Sequence, residues 1–234
     1  MSLQYGRRLL VIGGGRNQVT GIKRAAELGC HVISVDWDLS NPGHKYAAES
    51  ECISTTELVR LLEFARMKEI DGVCTFASDI GMTAVSFIAN EMNLPGIPLN
   101  VVKRVSNKAN FRQFMTQRGH EQPNFTILPP GEIAIDLSHL SKIVVVKPID
   151  NSGSKGVSIV NRKNPQDITK SILQARKHSK SSIVLIEDFI EGTEVGGDAF
   201  LFGGEIIAIC PTDKQMSDEI VLGHTFPSSH SNAR

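Results

Sequence analysis

Val144-Val145-Val146-Lys147-Pro148-Ile149-Asp150-Asn151-Ser152-Gly153-Ser154-Lys155-Gly156-Val157-Ser158-Ile159-Val160 is the stretch on which the reading of this chain turns. The β-branched runs Ile143 to Val146 and Val157 to Val160 predict two short strands. The residues between them are small. Ser152, Gly153, Ser154 and Gly156 leave backbone amides uncovered, and such a loop can wrap a polyphosphate with N–H groups and hydroxyls pointing inward. Lys147 at the strand exit and Lys155 in the loop add positive charge. Taken alone, the segment reads more readily as an ordinary hairpin with a Gly/Ser tip, so its meaning depends on its neighbours.

Toward the N-terminus, Arg8 to Ile12 reads as a buried strand running into Gly13-Gly14-Gly15. A helix is predicted from Gln18 to Leu28, with Gly29 placed to stop it. The strand His31 to Val35 follows and ends on Asp36, completing a β–glycine turn–α–β unit of the doubly wound kind. A glycine turn that feeds a helix N-terminus suits an anion. Asp36 lies where a dinucleotide-binding unit keeps its ribose acid, but Gln18 stands where the third glycine of G-x-G-x-x-G belongs. Ser54 to Glu57 has capping-box form ahead of an amphipathic helix. Ile70 to Phe76 is predicted as the third strand, with Ser78-Asp79 opening a helix after it. Residues 8 to about 98 thus form an α/β unit whose loops gather at the carboxyl edge of its strands.

Beyond Leu94-Pro95-Gly96-Ile97-Pro98 the pattern changes. Asn107-Lys108 opens a helix expected to bury Phe111, Phe114 and Met115, and a strand follows from Asn124 to Leu128. Asn164-Pro165 is an N-cap followed by proline at N1. Ser182 to Ile186 is an apolar strand that ends on Glu187-Asp188. Val195 to Phe202 and Glu205 to Cys210 flank Gly203-Gly204 as a hairpin.

With 234 residues the chain is long enough for one large domain or two smaller ones, and its net charge of zero and 6% aromatic content exclude the basic, aromatic-rich pattern of nucleic-acid binders. It has no apolar run long enough to span a membrane and no signal-peptide pattern. Its four cysteines, Cys30, Cys52, Cys74 and Cys210, are scattered without metal-finger spacing. Reduced thiols in the cytoplasm are the expectation, and no metal ligands are assigned.

Lys108, Lys147, the Ser/Gly loop, Glu187 and Glu194 stand in a fixed order on these elements. Together with Ile186-Glu187-Asp188-Phe189-Ile190-Glu191-Gly192-Thr193-Glu194 and Gly223-His224-Thr225-Phe226-Pro227, they resemble the ATP-grasp superfamily, in particular its carboxylate–amine or thiol ligases. The resemblance implies an α/β chain. A Rossmann-like pre-ATP-grasp domain would cover residues 1–100. A linker helix and first ATP-grasp lobe would cover 101–188, and the start of an incomplete second lobe 189–234. It further implies that Lys108 and Lys147 hold the α- and β-phosphates of ATP. Charge-assisted contacts of that kind are each worth about 1.5–3 kcal/mol. Ser152, Gly153, Ser154 and Gly156 would form the flap over the phosphates. Glu187 and the backbone of Asp188, Phe189 and Ile190 would meet the adenine edge, and Glu194 the ribose hydroxyls. Magnesium would bridge the phosphates.

The implied reaction converts a small carboxylate to an acyl phosphate that an amine attacks, as in amino-acid ligation or carbamoyl-phosphate-synthase-like chemistry. No catalytic residue is assigned. Gly14, Gly15, Gln18, Ser78, Asp79 and His224 are the substrate-side candidates. The family's metal-binding acids, a Glu-x-Asn pair among them, and its catalytic arginine are expected beyond Arg234, whereas Asp213 and Glu219 read as solvated. A nucleotide-binding fragment or sensor without turnover and an NAD-binding dehydrogenase are the alternatives. Partners are small molecules, with a homodimer left open and no nucleic acid or membrane.

Overall fold

The computed structural model describes residues 6–133, 135–217 and 220–230. Two compact units divide the chain, residues 1–119 and 120–234. No described helix is long and apolar enough to cross a membrane.

The first unit is built on a parallel sheet. Its strands are β1 (Arg8–Ile12), β2 (His31–Asp36), β3 (Glu49–Cys52) and β4 (Gly72–Cys74), in the spatial order β3-β2-β1-β4. Helix α1 (Val19–Glu27) follows the glycine turn, α2 (Leu58–Met67) leads to β4, and α3 (Asp79–Glu91) leaves it. Alternation along β1 sends Leu10 and Ile12 into the core with Leu61, Phe64 and Ile88, while Val11 packs with Ile22 of α1. Covering both faces in this way is what a parallel sheet requires.

Four expectations change here. Ile70 to Phe76 contributes the fourth strand, three residues long, because Glu49-Ser50-Glu51-Cys52 forms an edge strand that its polar composition concealed. A short helix, α4 (Leu99–Val105), fills the stretch after Pro98. Only half of the capping box forms: Ser54 donates its N–H to Glu57 Oε2 at 2.8 Å, while the Ser54 hydroxyl pairs with Thr56. In α5 (Lys108–Gln117) only Ala109 is fully buried. Phe111, Phe114 and Met115 are half-buried, and the Phe114 ring lies beneath the guanidinium groups of Arg104 and Arg118.

The second unit contains two antiparallel sheets. Strands β5 (Phe125–Leu128), β6 (Ile143–Pro148), β7 (Ser158–Asn161) and β8 (Val184–Asp188) form one, ordered β5-β8-β6-β7. Helix α6 (Pro165–Lys177) covers one face. Asn164 caps it with its side-chain oxygen, and Ile168, Ile172 and Ala175 pack on Val144, Val146, Val184 and Ile186. The other sheet, β9 (Val195–Phe202), β10 (Glu205–Ser217) and β11 (Ile220–Thr225), extends past the expected hairpin. Its middle strand continues seven residues beyond Cys210, and a third strand returns along it.

Candidate functional site

In the first unit the order of strands reverses between β1 and β4, which opens a crevice at their carboxyl ends. The glycine turn lies on one side of it and Phe76 to Asp79 on the other. Gln18 is buried and spans the two, donating from Nε2 to the Phe76 carbonyl at 2.5 Å. It therefore braces the crevice. The close helix contact expected of a third glycine occurs at Gly21 instead, where a Cβ would lie 2.4 Å from the Phe76 ring. Asp36 also faces inward: its carboxylate accepts the Gly14 N–H at 2.7 Å. Gly14 in turn accepts the Gly43 N–H at 2.7 Å and rests against the buried His44 ring, whose Nδ1 pairs with the Ser34 hydroxyl at 2.6 Å. Asp36, the candidate ribose acid of the dehydrogenase alternative, is thus engaged in holding the turn.

Of the substrate-side candidates in this unit, Gly15 and Asp79 reach the surface, whereas Gly14 and Gln18 are buried. Ser78 caps α3, accepting the Gly81 N–H at 3.1 Å. Ala77 beside it has φ 48°, a backbone conformation that non-glycine residues rarely adopt outside functional or tightly held turns. Lys108 stands in this unit, at the first position of α5 after the Asn107 cap.

The second unit brings Lys147 and Glu187 together. On β6, Val144 and Val146 point to α6, so Val145 and Lys147 point to the opposite face. There they meet Leu185 and Glu187, their partners across β8. The Lys147 ammonium donates to Glu187 Oε1, and the two side chains are 17% and 6% exposed. Val145, Leu185 and Ile127 are the neighbouring strand residues on that face.

Residues 149–157 leave this face from the end of β6. Their base is anchored: Asn151 donates to the His178 carbonyl at 2.8 Å, and Asp150 accepts the Ser181 and Lys180 N–H groups at 2.8 and 3.2 Å. Burial acts to raise the Asp150 carboxyl, but the Ser179 and Ser181 hydroxyls and these amides outweigh it and hold it below its ordinary range. The tip, Ser152 to Lys155, is exposed, and Gly153, Ser154 and Gly156 have φ of 68°, 56° and 78°. Gly156 packs on His178, where a Cβ would be 2.9 Å from the histidine Cβ.

After β8 the Asp188 side chain turns aside, accepting from Asn124 Nδ2 at 2.8 Å and the Ser141 N–H at 2.6 Å. The N–H groups of Asp188 and Phe189 bond the Asn124 and Ile143 carbonyls. Ile190 is the next residue, with an exposed side chain.

On the β9–β11 sheet, Glu194 pairs with Lys214 at 3.2 Å, and His224 Nδ1 meets the Thr212 hydroxyl at 2.8 Å. Lys214 was absent from the sequence-based site because β10 was expected to end at Cys210. The alternation Cys210, Thr212, Lys214 was the available signal. Asp213 is not the solvated carboxylate expected. Ser228 and Ser229 hydroxyls and the Ser229 N–H hold it far below the usual carboxyl range, with His230 adding to this. Glu219 lies outside the described residues. Among the described residues no three His, Cys, Asp or Glu side chains gather to hold a metal ion.

No family model matches the chain. It is 30% identical over 217 residues to the phosphoribosylamine–glycine ligase of Pyrococcus furiosus, a match covering 85% of this chain and 46% of that one. It is 25% identical over 193 residues to the formate-dependent phosphoribosylglycinamide formyltransferase of Parasynechococcus marenigrum, covering 80% and 49%. The chain spans about half the length of the curated relatives it matches. Among solved structures, N5-carboxyaminoimidazole synthetase from Staphylococcus aureus complexed with ADP shares the fold. Its TM-score is 0.78 at 15% identity, covering 96% of this chain and 59% of that one.

Proposed function

From the premise that the chain belongs to the ATP-grasp superfamily, we propose that it binds ATP on the face of the β5-β8-β6-β7 sheet turned away from α6. In this reading it serves a ligase that activates a small carboxylate as an acyl phosphate for attack by an amine. The observation that carries the reading is the Lys147–Glu187 pair on an apolar sheet face beside an anchored loop with an exposed Ser/Gly tip. Apolar flanks suit a purine ring, a lysine suits phosphate, and a loop fixed only at its base can close over both and exclude water.

Each group has a separate task. Lys147 neutralises phosphate charge as it shifts during transfer. Amides and hydroxyls of Ser152, Gly153, Ser154 and Gly156 wrap the phosphates. The amides of Asp188 and Phe189 are already bonded within the sheet, so Ile190 offers the next N–H to the base edge, with Glu187 beside it. Glu194 takes the ribose hydroxyls once Lys214 releases it. Magnesium bound together with the nucleotide would supply further charge neutralisation. On the grounds of sequence pattern, Gly15, Ser78 and Asp79 in the first unit and His224 on β11 remain the proposed substrate-side residues. Lys108 remains the proposed second phosphate lysine on the grounds of sequence pattern.

Calorimetric titration with ATP tests the reading. Micromolar binding is expected, lost in Lys147→Ala that circular dichroism shows to be folded. Absence of binding at millimolar ATP would end it. A phosphate-release screen with carboxylates, ammonia and amino acids separates a ligase from a nucleotide-binding module, which would bind without turnover.

A further inference from the structure

We propose that Asp150 is a positioning residue for the loop 149–157: it ties the loop's base to the turn between α6 and β8, confines closure to the tip, and so sets how tightly a nucleotide's phosphates are held. The inference rests on the nucleotide reading above and extends it to the turn after α6. Both feet of the loop stand on that one turn, His178 to Ser181. At the entrance Asp150 accepts the Lys180 N–H at 3.2 Å and the Ser181 N–H at 2.8 Å, and Asn151 donates to the His178 carbonyl at 2.8 Å. At the exit Gly156, with φ 78°, rests on the His178 side chain, where a Cβ would lie 2.9 Å from the histidine Cβ. Between the two feet Ser152 to Lys155 are exposed.

A loop held at both feet has few conformations left to lose when it closes. Cutting the tie at Asp150 lets the base move with the tip, and binding must then offset the entropy of ordering both. The charge of Asp150 acts in the opposite sense. A carboxylate at the base of a loop that meets phosphates repels them, so loss of the charge alone would tighten binding. The two roles therefore predict opposite signs for the same substitution. Two backbone N–H groups, with the Ser179 and Ser181 hydroxyls beside them, already surround the carboxylate. Its charge is thus largely taken up within the turn, and its geometric role prevails.

The test titrates ATP and adenosine into the full 234-residue chain as wild type, Asp150→Ala and Asp150→Asn, with amide hydrogen exchange measured on each. Asp150→Ala should weaken ATP about tenfold and change adenosine, which brings no phosphate to the loop, by less than about twofold. Asparagine keeps one acceptor oxygen, so Asp150→Asn should weaken ATP by less, and it decides the matter if the alanine variant does not fold. Exchange should quicken at Lys180, Ser181 and the loop while staying slow through β6. Unchanged or tighter ATP binding in the variants would overturn the proposal. So would an equal loss of adenosine, which marks general damage to the site. Wild type that binds neither ligand ends the nucleotide reading and the proposal with it, whereas ATP binding indifferent to Asp150 ends the proposal alone.

Discussion

Lys147 and Glu187 carry opposite charges on one covered sheet face, so removing either takes a charged partner from the other. Lys147→Met should destabilise the chain by about 1.5–3 kcal/mol, while replacing both residues with Met and Leu should recover much of that loss. Urea denaturation of the two single variants and the double measures it, and simple additivity would show that the pair is not coupled. Gly21 gives a second case in which two effects oppose each other. Alanine in a helix interior gains about 1 kcal/mol over glycine. Here, however, its Cβ would lie 2.4 Å from the Phe76 ring, and overpacking costs about 1–3 kcal/mol. Gly21→Ala should therefore lower the melting temperature, whereas the propensity argument alone predicts a rise. Lys147 and Glu187 were each legible in the sequence, because strand ends and alternation mark them. Their mutual bond was not, since it joins residues forty positions apart across two strands whose adjacency no local pattern encodes. Asp36 shows the limit from the other side: its position matched a ribose acid, yet a buried amide at Gly14 claims it.

At the scale of elements, the first sheet is tied together at its amino edge. Glu49 at the head of β3 accepts from Lys68, from His31 of β2 at 2.6 Å and from Arg8 of β1 at 3.4 Å. Lys68 first and His31 second lower its carboxyl from 4.5 to about 2. A carboxyl lowered in the folded state contributes stability that is complete above about pH 4.5 and is lost as the pH falls toward 2. Glu49→Gln should cost about 1 kcal/mol near pH 6. Chemical denaturation across that acid range should show wild type and variant converging, and a gap that persists at low pH would mean that packing, not charge, is lost. The loop 149–157 is the second element to test. Hydrogen exchange should be fast at Ser152 to Lys155 and slow through β6, with nucleotide protecting the tip. Asn151→Ala should loosen the base as well by freeing it from His178. The flanking strands were readable from β-branched runs. The edge strand β3 was not, because an edge needs only one hydrogen-bonded neighbour and tolerates a Glu-Ser-Glu-Cys sequence.

At the scale of the whole chain, the β9–β11 sheet stands apart from the well-covered cores of the parallel sheet and of the α6-backed sheet. Phe200, Leu201, Phe202, Ile206, Ile209 and Leu222 are all more than half exposed on it. Large apolar side chains exposed together on one sheet are the kind of surface that takes up apolar probes. The folded 234-residue chain should bind a hydrophobic dye, and Phe200→Ser with Ile209→Ser should cut the signal without shifting the main unfolding transition. Unchanged dye binding would place the apolar surface elsewhere. The amino-acid sequence by itself determined the strand and helix periodicities, the Ser/Gly loop and the order of lysines and carboxylates along the chain. These are local matters of residue size, branching and charge. Only the tertiary structure decided which carboxylate meets which amide or ammonium. A charge takes the partner that packing brings within reach, and for Asp36, Glu187 and Asp213 that partner lies on a different segment of the chain.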